Sequence, residues 1–201
     1  MAISIDQIKE LREETGSGVL DCRQALEKAN GDYKKAVEIL RDKGLAKAAK
    51  RVDREASEGV VDLYSHGDGR LGVMVEVNCE TDFVARSKEF RAFAHNIALQ
   101  VAGAGPRWID EDGVPEQVLE NEREKARKQA IEEGKPEQEV DRIVKGRLNK
   151  FLDEMCLMRQ PYIRDDTITV KELLLQNIAS IGENIVVRRF ARWELGESNE
   201  G

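Results

Sequence analysis

The spacing of apolar residues changes at Gly59, and this change limits the chain to folds that combine helices with a sheet. In the segments before Gly59, from residue 5 to residue 40, apolar residues recur every three or four positions, as they do along one face of a helix. After it, apolar and polar residues alternate, most clearly over 71–79, which predicts a strand with one buried face. The pattern therefore predicts an α+β fold.

Three short helices are predicted before this point. Ser4 and Gln7 have the spacing of a capping box, so the first helix begins there. Asn30–Gly31 suits the left-handed end of a second helix, and a third helix is expected to close at Gly44. Helices this short are unstable alone, so their apolar faces must pack together. We assign residues 1–45 to a three-helix module.

Residues 46–58 are interpreted as a linker with helical tendency. They contain good helix formers but no sustained apolar stripe. The basic run from Lys47 to Arg54 is open to two interpretations. It is either a solvated stretch of linker or a contact for RNA or other phosphates.

A β-hairpin followed by a helix is predicted next. Strands at 60–65 and 71–79 flank Asp68–Gly69, a pair that supplies the positive backbone dihedral angles of a tight turn. The following helix starts after Ser87, carries apolar residues on one side and ends at Gly103. Its apolar side is expected to pack on the sheet.

Two highly charged helices, roughly 116–133 and 136–155, are expected to form an antiparallel hairpin. Gly134 and Pro136 match the residues that commonly end one helix and start the next. The second arm has a much stronger apolar stripe than the first, so the hairpin is expected to project from the body. It is either a structural projection or a dedicated partner-binding arm, and we assign it residues 116–159.

The remaining elements complete the core. Thr169–Glu172 reads as a capping box for another helix, and alternation over 185–195 predicts a last strand. This strand is expected to complete a small antiparallel three-stranded sheet. The core then combines residues 59–115 with 160–197, and residues 198–201 form a C-terminal tail.

Composition narrows the possible functions. The formal net charge of -7 argues against a general nucleic-acid binder, which needs a basic surface. Aromatic residues make up only 5% and charged residues 35%, a composition unlike that of a small-molecule enzyme with an apolar cleft. No charged leader with an apolar segment and no stretch of roughly 20 apolar residues is found, so we expect a soluble cytoplasmic protein that avoids membranes.

The cysteines and histidines do not form a recognisable catalytic or metal-binding pattern. Cys22, Cys79 and Cys156 are far apart and odd in number, which favours reduced, packed thiols over disulfides or zinc ligands. A nucleophile pair could be drawn from Cys79 with His66 or His95, but neither spacing nor signature supports it. We therefore expect no catalytic residues and no metal site.

The glycine cluster within 67–72 does not indicate a nucleotide site. It lies in a predicted hairpin turn and lacks the strand-to-helix context of phosphate-binding loops. No cofactor is therefore expected, and the chain is expected not to be an enzyme.

The segment from Glu80 to Ala85 falls between the second strand and the next helix. Phe83 fits neither the strand nor the helix pattern. Its ring either folds under the hairpin or is an exposed aromatic anchor for a partner protein. The residue pattern alone favours the packed ring.

Two long motifs make the sequence resemble a known family. They are LREETGSGVLDCRQAL at 11–26 and VNCETDFVA at 77–85, and further likeness runs through 146–161 and 181–190. These segments closely resemble bacterial elongation factor Ts of the short form, the guanine-nucleotide exchange factor of the GTPase elongation factor Tu. The likeness covers nearly the whole chain.

The resemblance implies a docking role for the N-terminal module. It is expected to be similar to ubiquitin-associated domains and to bind the nucleotide-binding domain of the GTPase. Arg12, Val19, Leu20 and Arg23 match the region that meets the partner, although Val19 could equally serve internal packing.

The resemblance also gives the segment Thr81 to Val84 a role near the magnesium site of the GTPase. Phe83 is expected to be an intruding wedge, with Asp82 as its polar neighbour and Thr81 and Val84 as the frame. The implied function is to bind elongation factor Tu–GDP, displace magnesium, promote GDP release and allow GTP to bind. An alternative is a ribosome- or RNA-associated adaptor that uses the basic linker.

The resemblance also implies self-association. Longer members of the family have two related core subdomains, whereas this sequence shows only one strand-strand-helix unit. A homodimer joined through the core sheets would supply the second unit. Elongation factor Tu and a second copy of the chain are thus the expected partners, with no direct nucleic-acid contact.

Overall fold

The computed structural model describes residues 3–197, so the predicted tail at 198–201 lies outside the described residues. Within this range the α-helices are α1 (Ile5–Thr15), α2 (Val19–Lys28), α3 (Tyr33–Ala49), α4 (Asp82–Ala85), α5 (Lys88–Ala104), α6 (Glu116–Glu132), α7 (Glu137–Met155) and α8 (Val170–Ile181). The strands are β1 (Glu58–His66), β2 (Leu71–Cys79), β3 (Pro161–Tyr162), β4 (Asp165–Thr169) and β5 (Ile185–Glu194).

The predicted α+β class is confirmed. Strands β1, β2 and β5 form an antiparallel three-stranded sheet in the order β1-β2-β5. A second, two-stranded antiparallel ladder of β3 and β4 was not predicted. Its strands are too short for alternation to be recognised in the sequence.

The chain divides into two compact units, each assembled from separated stretches. The first unit comprises Met1–Val60, Val77–Phe93 and Glu172–Val186. The second comprises Val61–Glu76, Ala94–Lys171 and Val187–Gly201. The boundaries predicted above between module, linker, core and hairpin remain predictions.

In the first unit, α1, α2 and α3 pack around a small apolar core. The capping box forms as predicted, with Ser4 N donating to Gln7 Oε1 and Gln7 N donating to Ser4 Oγ, each over 3.1 Å. The predicted turn also forms, with φ of 53° at Asn30 and 85° at Gly31. The buried core residues are Leu11, Cys22, Ala25, Leu26, Ala29, Ala36 and Leu40.

The third helix is longer than predicted. It continues past Gly44 to Ala49, because the residues that follow Gly44 are mostly alanine, leucine and lysine, which favour helix. Gly44 instead permits a close approach of α8. A Cβ atom at Gly44 would lie 3.3 Å from the Cβ atom of Ala179.

The strands follow their predicted positions closely. The turn between β1 and β2 has φ of 55° at Asp68 and 86° at Gly69, as the sequence predicts. On β5 the predicted apolar side is buried at Ile185 and Val187, but Trp193 on the same strand and Leu195, just after its end, are exposed. The apolar side of α5 is buried along its length.

In the second unit, α6 and α7 form the predicted hairpin, and φ at Gly134 is 70° where the chain turns. The small residues Ala126 and Ala130 pack against Val140 and Val144. The weak apolar stripe of α6 is therefore sufficient, since alanines let the two helices approach closely. Among residues 3–197, no helix has both the length and the apolar character needed to cross a membrane.

Candidate functional site

The segment from Thr81 to Val84 begins a single helical turn, whereas the sequence pattern placed it between two elements. Thr81 is the N-cap of α4, and its Oγ1 accepts a hydrogen bond of 3.3 Å from Val84 N. The carbonyl oxygen of Thr81 accepts another, of 3.1 Å, from Ala85 N. Threonine is a favoured N-cap because its side chain satisfies an unpaired amide of the first turn.

Phe83 points away from the protein. The residue is 81% exposed, while the next residues, Val84 and Ala85, are buried. Successive residues in a helical turn are rotated by about 100°. Because Val84 and Ala85 face the interior, Phe83 faces the solvent. The interpretation of Phe83 as a packed core residue is therefore wrong.

Asp82 lies on the same exposed turn. Its carboxylate forms an ion pair of 2.9 Å with Arg86 Nη2, and both side chains are largely exposed. Exposed pairs of this kind contribute about 0–1 kcal/mol. The pair therefore does not lock the Asp82 carboxylate in place.

The N-terminal end of α4 is held by Glu183, which lies between α8 and β5. One carboxylate oxygen of Glu183 accepts hydrogen bonds from Glu80 N (3.2 Å) and Thr81 N (3.1 Å). The other accepts a hydrogen bond of 2.7 Å from the hydroxyl group of Thr81. A single carboxylate thus receives three donors from two adjacent residues.

A second carboxylate, that of Glu80, links the same two segments in the opposite direction. Glu80 Oε1 accepts a hydrogen bond of 2.6 Å from Asn184 N and lies 3.5 Å from Arg54 Nη1. The side-chain amide of Asn184 donates from Nδ2 to the carbonyl oxygens of Val52 (3.1 Å) and Arg54 (2.7 Å). We call the reciprocal contacts of Glu80 and Thr81 with Glu183 and Asn184 the carboxylate clamp.

Sequence reasoning missed the carboxylate clamp. Thr81 and Glu183 are 102 residues apart, and neither has a local pattern that indicates the other. The segment Ile181 to Ile185 is part of the family resemblance, and this likeness is the feature of the sequence that points to Glu183 and Asn184.

The N-terminal module carries a shallow apolar groove of about 520 Å³ between α1 and α2. Two of the predicted contact residues, Arg12 and Val19, line it together with Ile5 and Ile8. Val19 is 55% exposed, so its alternative role in internal packing is wrong. Ile5 is also exposed, although the sequence pattern placed it on the packed side of α1.

The other two predicted contact residues, Leu20 and Arg23, lie outside this groove. Both are exposed on α2, and Arg23 forms an ion pair of 2.9 Å with Glu27 one turn further along. The structure therefore brings Arg12 and Val19 into one concave surface and leaves Leu20 and Arg23 beside it on the helix.

Several side chains of the basic run from Lys47 to Arg54 have partners within the protein. Lys47 and Lys43 donate to Asp21 at 2.9 and 2.8 Å. Arg51 donates to the carbonyl oxygen of Ile178 over 3.3 Å, and Arg54 faces Glu80. These contacts leave less positive charge for phosphate binding and argue against the RNA-adaptor interpretation.

The ion pairs also change the acidity of Asp21. Hydrogen bonds from Lys43 and Lys47 hold the pKa of its carboxyl group below the ordinary value. The two lysines belong to α3 and the aspartate to α2, so the contact links two helices of the module.

All three cysteines are buried free thiols, which fits the expectation of packed cysteines. Burial raises the pKa of Cys79 to about 11, with the nearby Glu183 carboxylate acting in the same direction. A nucleophilic cysteine needs a lowered pKa, so this shift opposes a catalytic role. In the part of the chain that the structure describes, no cluster of metal-ligating side chains is found.

Comparison with known proteins places these features in a family. The family described as Elongation factor TS matches residues 20–197. An elongation factor Ts of Caldanaerobacter subterraneus subsp. tengcongensis is 58% identical over 198 residues, which cover 98% of this chain and 99% of that protein.

Two further relatives give the same result. The elongation factor Ts of Carboxydothermus hydrogenoformans is 57% identical, covering 97% of this chain and 90% of the relative. That of Coprothermobacter proteolyticus is 53% identical, covering 98% of this chain and all of the relative. The chain therefore belongs to the elongation factor Ts family of translation elongation factors.

Proposed function

We propose that this chain binds elongation factor Tu–GDP in the cytoplasm and promotes GDP release by displacing magnesium, so that GTP can bind. The observation that carries the proposal is the exposure of Phe83 on a capped helical turn. Exposing a large aromatic ring to water is unfavourable, and such rings often anchor protein interfaces. Phe83 enters the partner near its magnesium site, with Asp82 beside it.

The exchange follows from thermodynamic linkage and needs no covalent chemistry. If the chain stabilises a state of the GTPase with displaced magnesium, bound nucleotide weakens the chain's affinity by the same free energy. GDP then leaves from a transient ternary complex. The chain thus acts as a guanine-nucleotide exchange factor and not as an enzyme that makes or breaks bonds.

Phe83 does not act alone. Burying one phenylalanine contributes roughly 1.5–3 kcal/mol, which corresponds to about one to two powers of ten in an equilibrium constant. Larger acceleration requires further contacts. The groove lined by Arg12 and Val19, with Leu20 and Arg23 beside it, is a second surface of this chain that contacts the GTPase.

The experiment is the release of fluorescently labelled GDP from purified elongation factor Tu. We expect Phe83→Ala to lose most of the stimulation without loss of stability, because the ring makes few contacts within the protein. Cys79→Ser serves as the control and should retain nearly all stimulation. Loss of activity in Cys79→Ser with full activity in Phe83→Ala would contradict the proposal and favour cysteine chemistry.

The same chain is proposed to form a homodimer through its sheet. In the second unit, Asp62 on β1 faces His95 on α5, with 3.0 Å between Oδ2 and Nδ1, so the alternate residues Val61 and Leu63 face away from that helix. Both are exposed, as is Met74 on β2. Exposed apolar side chains on a sheet face are suited to an interface with a second copy.

A further inference from the structure

The orientation of Phe83 has to be maintained by its backbone, because its ring is almost fully exposed. The turn that carries it, α4, contains only four residues. A single helical turn is unstable in isolation, since it fixes several dihedral angles for one hydrogen bond. Contacts outside the turn must therefore supply its stability.

Burial of Val84 and Ala85 holds one side of the turn. At its N-terminal end the Thr81 hydroxyl group accepts from Val84 N and donates to Glu183 Oε1. A hydroxyl group has one proton to donate, so donation to Glu183 directs its lone pairs toward the turn. Glu183 thereby sets the orientation of the cap that starts α4.

We propose that Glu183 is a positioning residue for exchange, which aims Phe83 by holding Thr81. The inference rests on the proposed exchange function. Glu183 acts through the backbone amides of Glu80 and Thr81 and through the Thr81 hydroxyl group. Hydrogen bonds to a carboxylate are stronger than those between neutral groups, so Glu183 holds the N-terminal end of the turn more firmly than a neutral acceptor would.

The reciprocal half of the carboxylate clamp extends this role. Asn184 follows Glu183 directly, donates its backbone amide to Glu80, and holds the carbonyl oxygens of Val52 and Arg54 with its side chain. Movement of Glu183 is therefore restricted from its C-terminal side. Glu80 is fixed from both ends, because its amide binds Glu183 and its carboxylate binds Asn184.

The test measures GDP release from elongation factor Tu at increasing concentrations of the full chain, and separates the maximal rate from the half-saturating concentration. For Glu183→Ala we expect the maximal rate to fall about tenfold, the order expected when a charged hydrogen-bond partner is removed. The half-saturating concentration should change little, because docking by the N-terminal module is untouched. Glu183→Gln keeps one oxygen for the backbone amides of Glu80 and Thr81 but loses the acceptor for the Thr81 hydroxyl group, so its maximal rate should lie between those of Glu183→Ala and the unmodified chain.

The matched control is Glu38→Ala, which removes the same charge from an exposed position on α3. It should behave as the unmodified chain does. An equal loss of maximal rate in Glu38→Ala and Glu183→Ala would overturn the proposal, because a general charge effect would then explain both.

A double variant distinguishes positioning from an independent contact. If Glu183 acts through Phe83, then Phe83→Ala combined with Glu183→Ala should be no slower than Phe83→Ala alone. If the double variant is slower than Phe83→Ala by the same factor that Glu183→Ala shows alone, the proposal is wrong. Deuterium uptake at the amides of Thr81 and Val84 should rise in Glu183→Ala while the protection of α5 is retained, and unchanged uptake would also contradict it.

Failure of the inference can be told apart from failure of the proposed function. If the unmodified chain does not accelerate GDP release, the exchange function itself is wrong. If it does, and Phe83→Ala loses that activity while Glu183→Ala keeps the full maximal rate, only the positioning role is wrong.

Discussion

Phe83 and Val84 are neighbours in the chain, yet one is 81% exposed and the other is buried. The difference comes from the helical turn, which points consecutive side chains in different directions. The same site contains Cys79, whose thiol is buried and donates to the carbonyl oxygen of Thr81 over 3.2 Å. At the residue scale, an exposed aromatic ring and a buried thiol therefore lie within a few positions of each other.

The thiol of Cys79 is expected to resist alkylation in the folded protein. Because its pKa is raised to about 11, little thiolate forms at neutral pH. The raised pKa also means that the stabilisation from the neutral thiol is present below the ordinary pKa of cysteine and is lost as the pH rises toward about 11. The extent of Cys79 alkylation is measured by mass spectrometry of peptides after iodoacetamide treatment at pH 8.

The control for this experiment is the same treatment in denaturant, in which Cys79 should react at the rate of a free thiol. Rapid modification of Cys79 without denaturant would show that the thiolate is accessible and would revive a catalytic interpretation.

At the scale of elements, β1 and β2 approach each other very closely at Gly59. Its φ is 153°, and a Cβ atom built there would lie 2.1 Å from the carbonyl oxygen of Val77. No real side chain tolerates such a contact with backbone. Gly59 thus permits the start of β1, at the position where the apolar spacing of the sequence changes.

We expect Gly59→Ala to lower the free energy of unfolding by about 2 kcal/mol or more, because the strands must separate to admit the methyl group. Urea unfolding followed by far-UV circular dichroism measures the loss. Gly72→Ala on β2 is the matched control, since a Cβ atom there meets nothing within 4 Å. Equal stability of the two variants would show that β1 does not need this close approach.

At the scale of the whole molecule, one face of the three-stranded sheet exposes apolar side chains within the described residues. Val61, Leu63 and Met74 place apolar side chains on it, and Leu63 is 70% exposed. Monomeric proteins rarely expose contiguous apolar patches larger than a few hundred Å². A second copy of the chain would cover them and give the assembly two wedges.

Light scattering across a range of concentrations is expected to show a dimer of the unmodified chain and a monomer of Leu63→Lys. Placing a charge in an apolar interface leaves it without solvent or partner, which strongly disfavours association. Ile131→Lys is the control, because it changes an apolar residue on α6 that is exposed to a similar degree, 62% against 70%, and should remain dimeric. A monomeric unmodified chain would contradict the proposed dimer.

The order of the longer helices and strands, the β-hairpin turn and the charged helical hairpin are predictable from the sequence, whereas α4 and the short strands β3 and β4 are not. These features depend on the spacing of apolar residues and on turn residues such as Asp68 and Gly69, which act over a few positions. The sequence pattern places the end of α3 too early, because Gly44 has the form of a helix stop but instead permits close packing against Ala179.

The change of apolar spacing at Gly59 determined by itself that helices precede a sheet, because periodicity is a local property of the chain. Only the tertiary structure decided that Phe83 is exposed and that Glu183 holds the turn beneath it. Residue patterns favoured a packed ring, since an isolated phenylalanine has no periodic neighbours to show which way it points. Thr81 and Glu183 meet across 102 residues, and such a contact depends on the path of the folded chain.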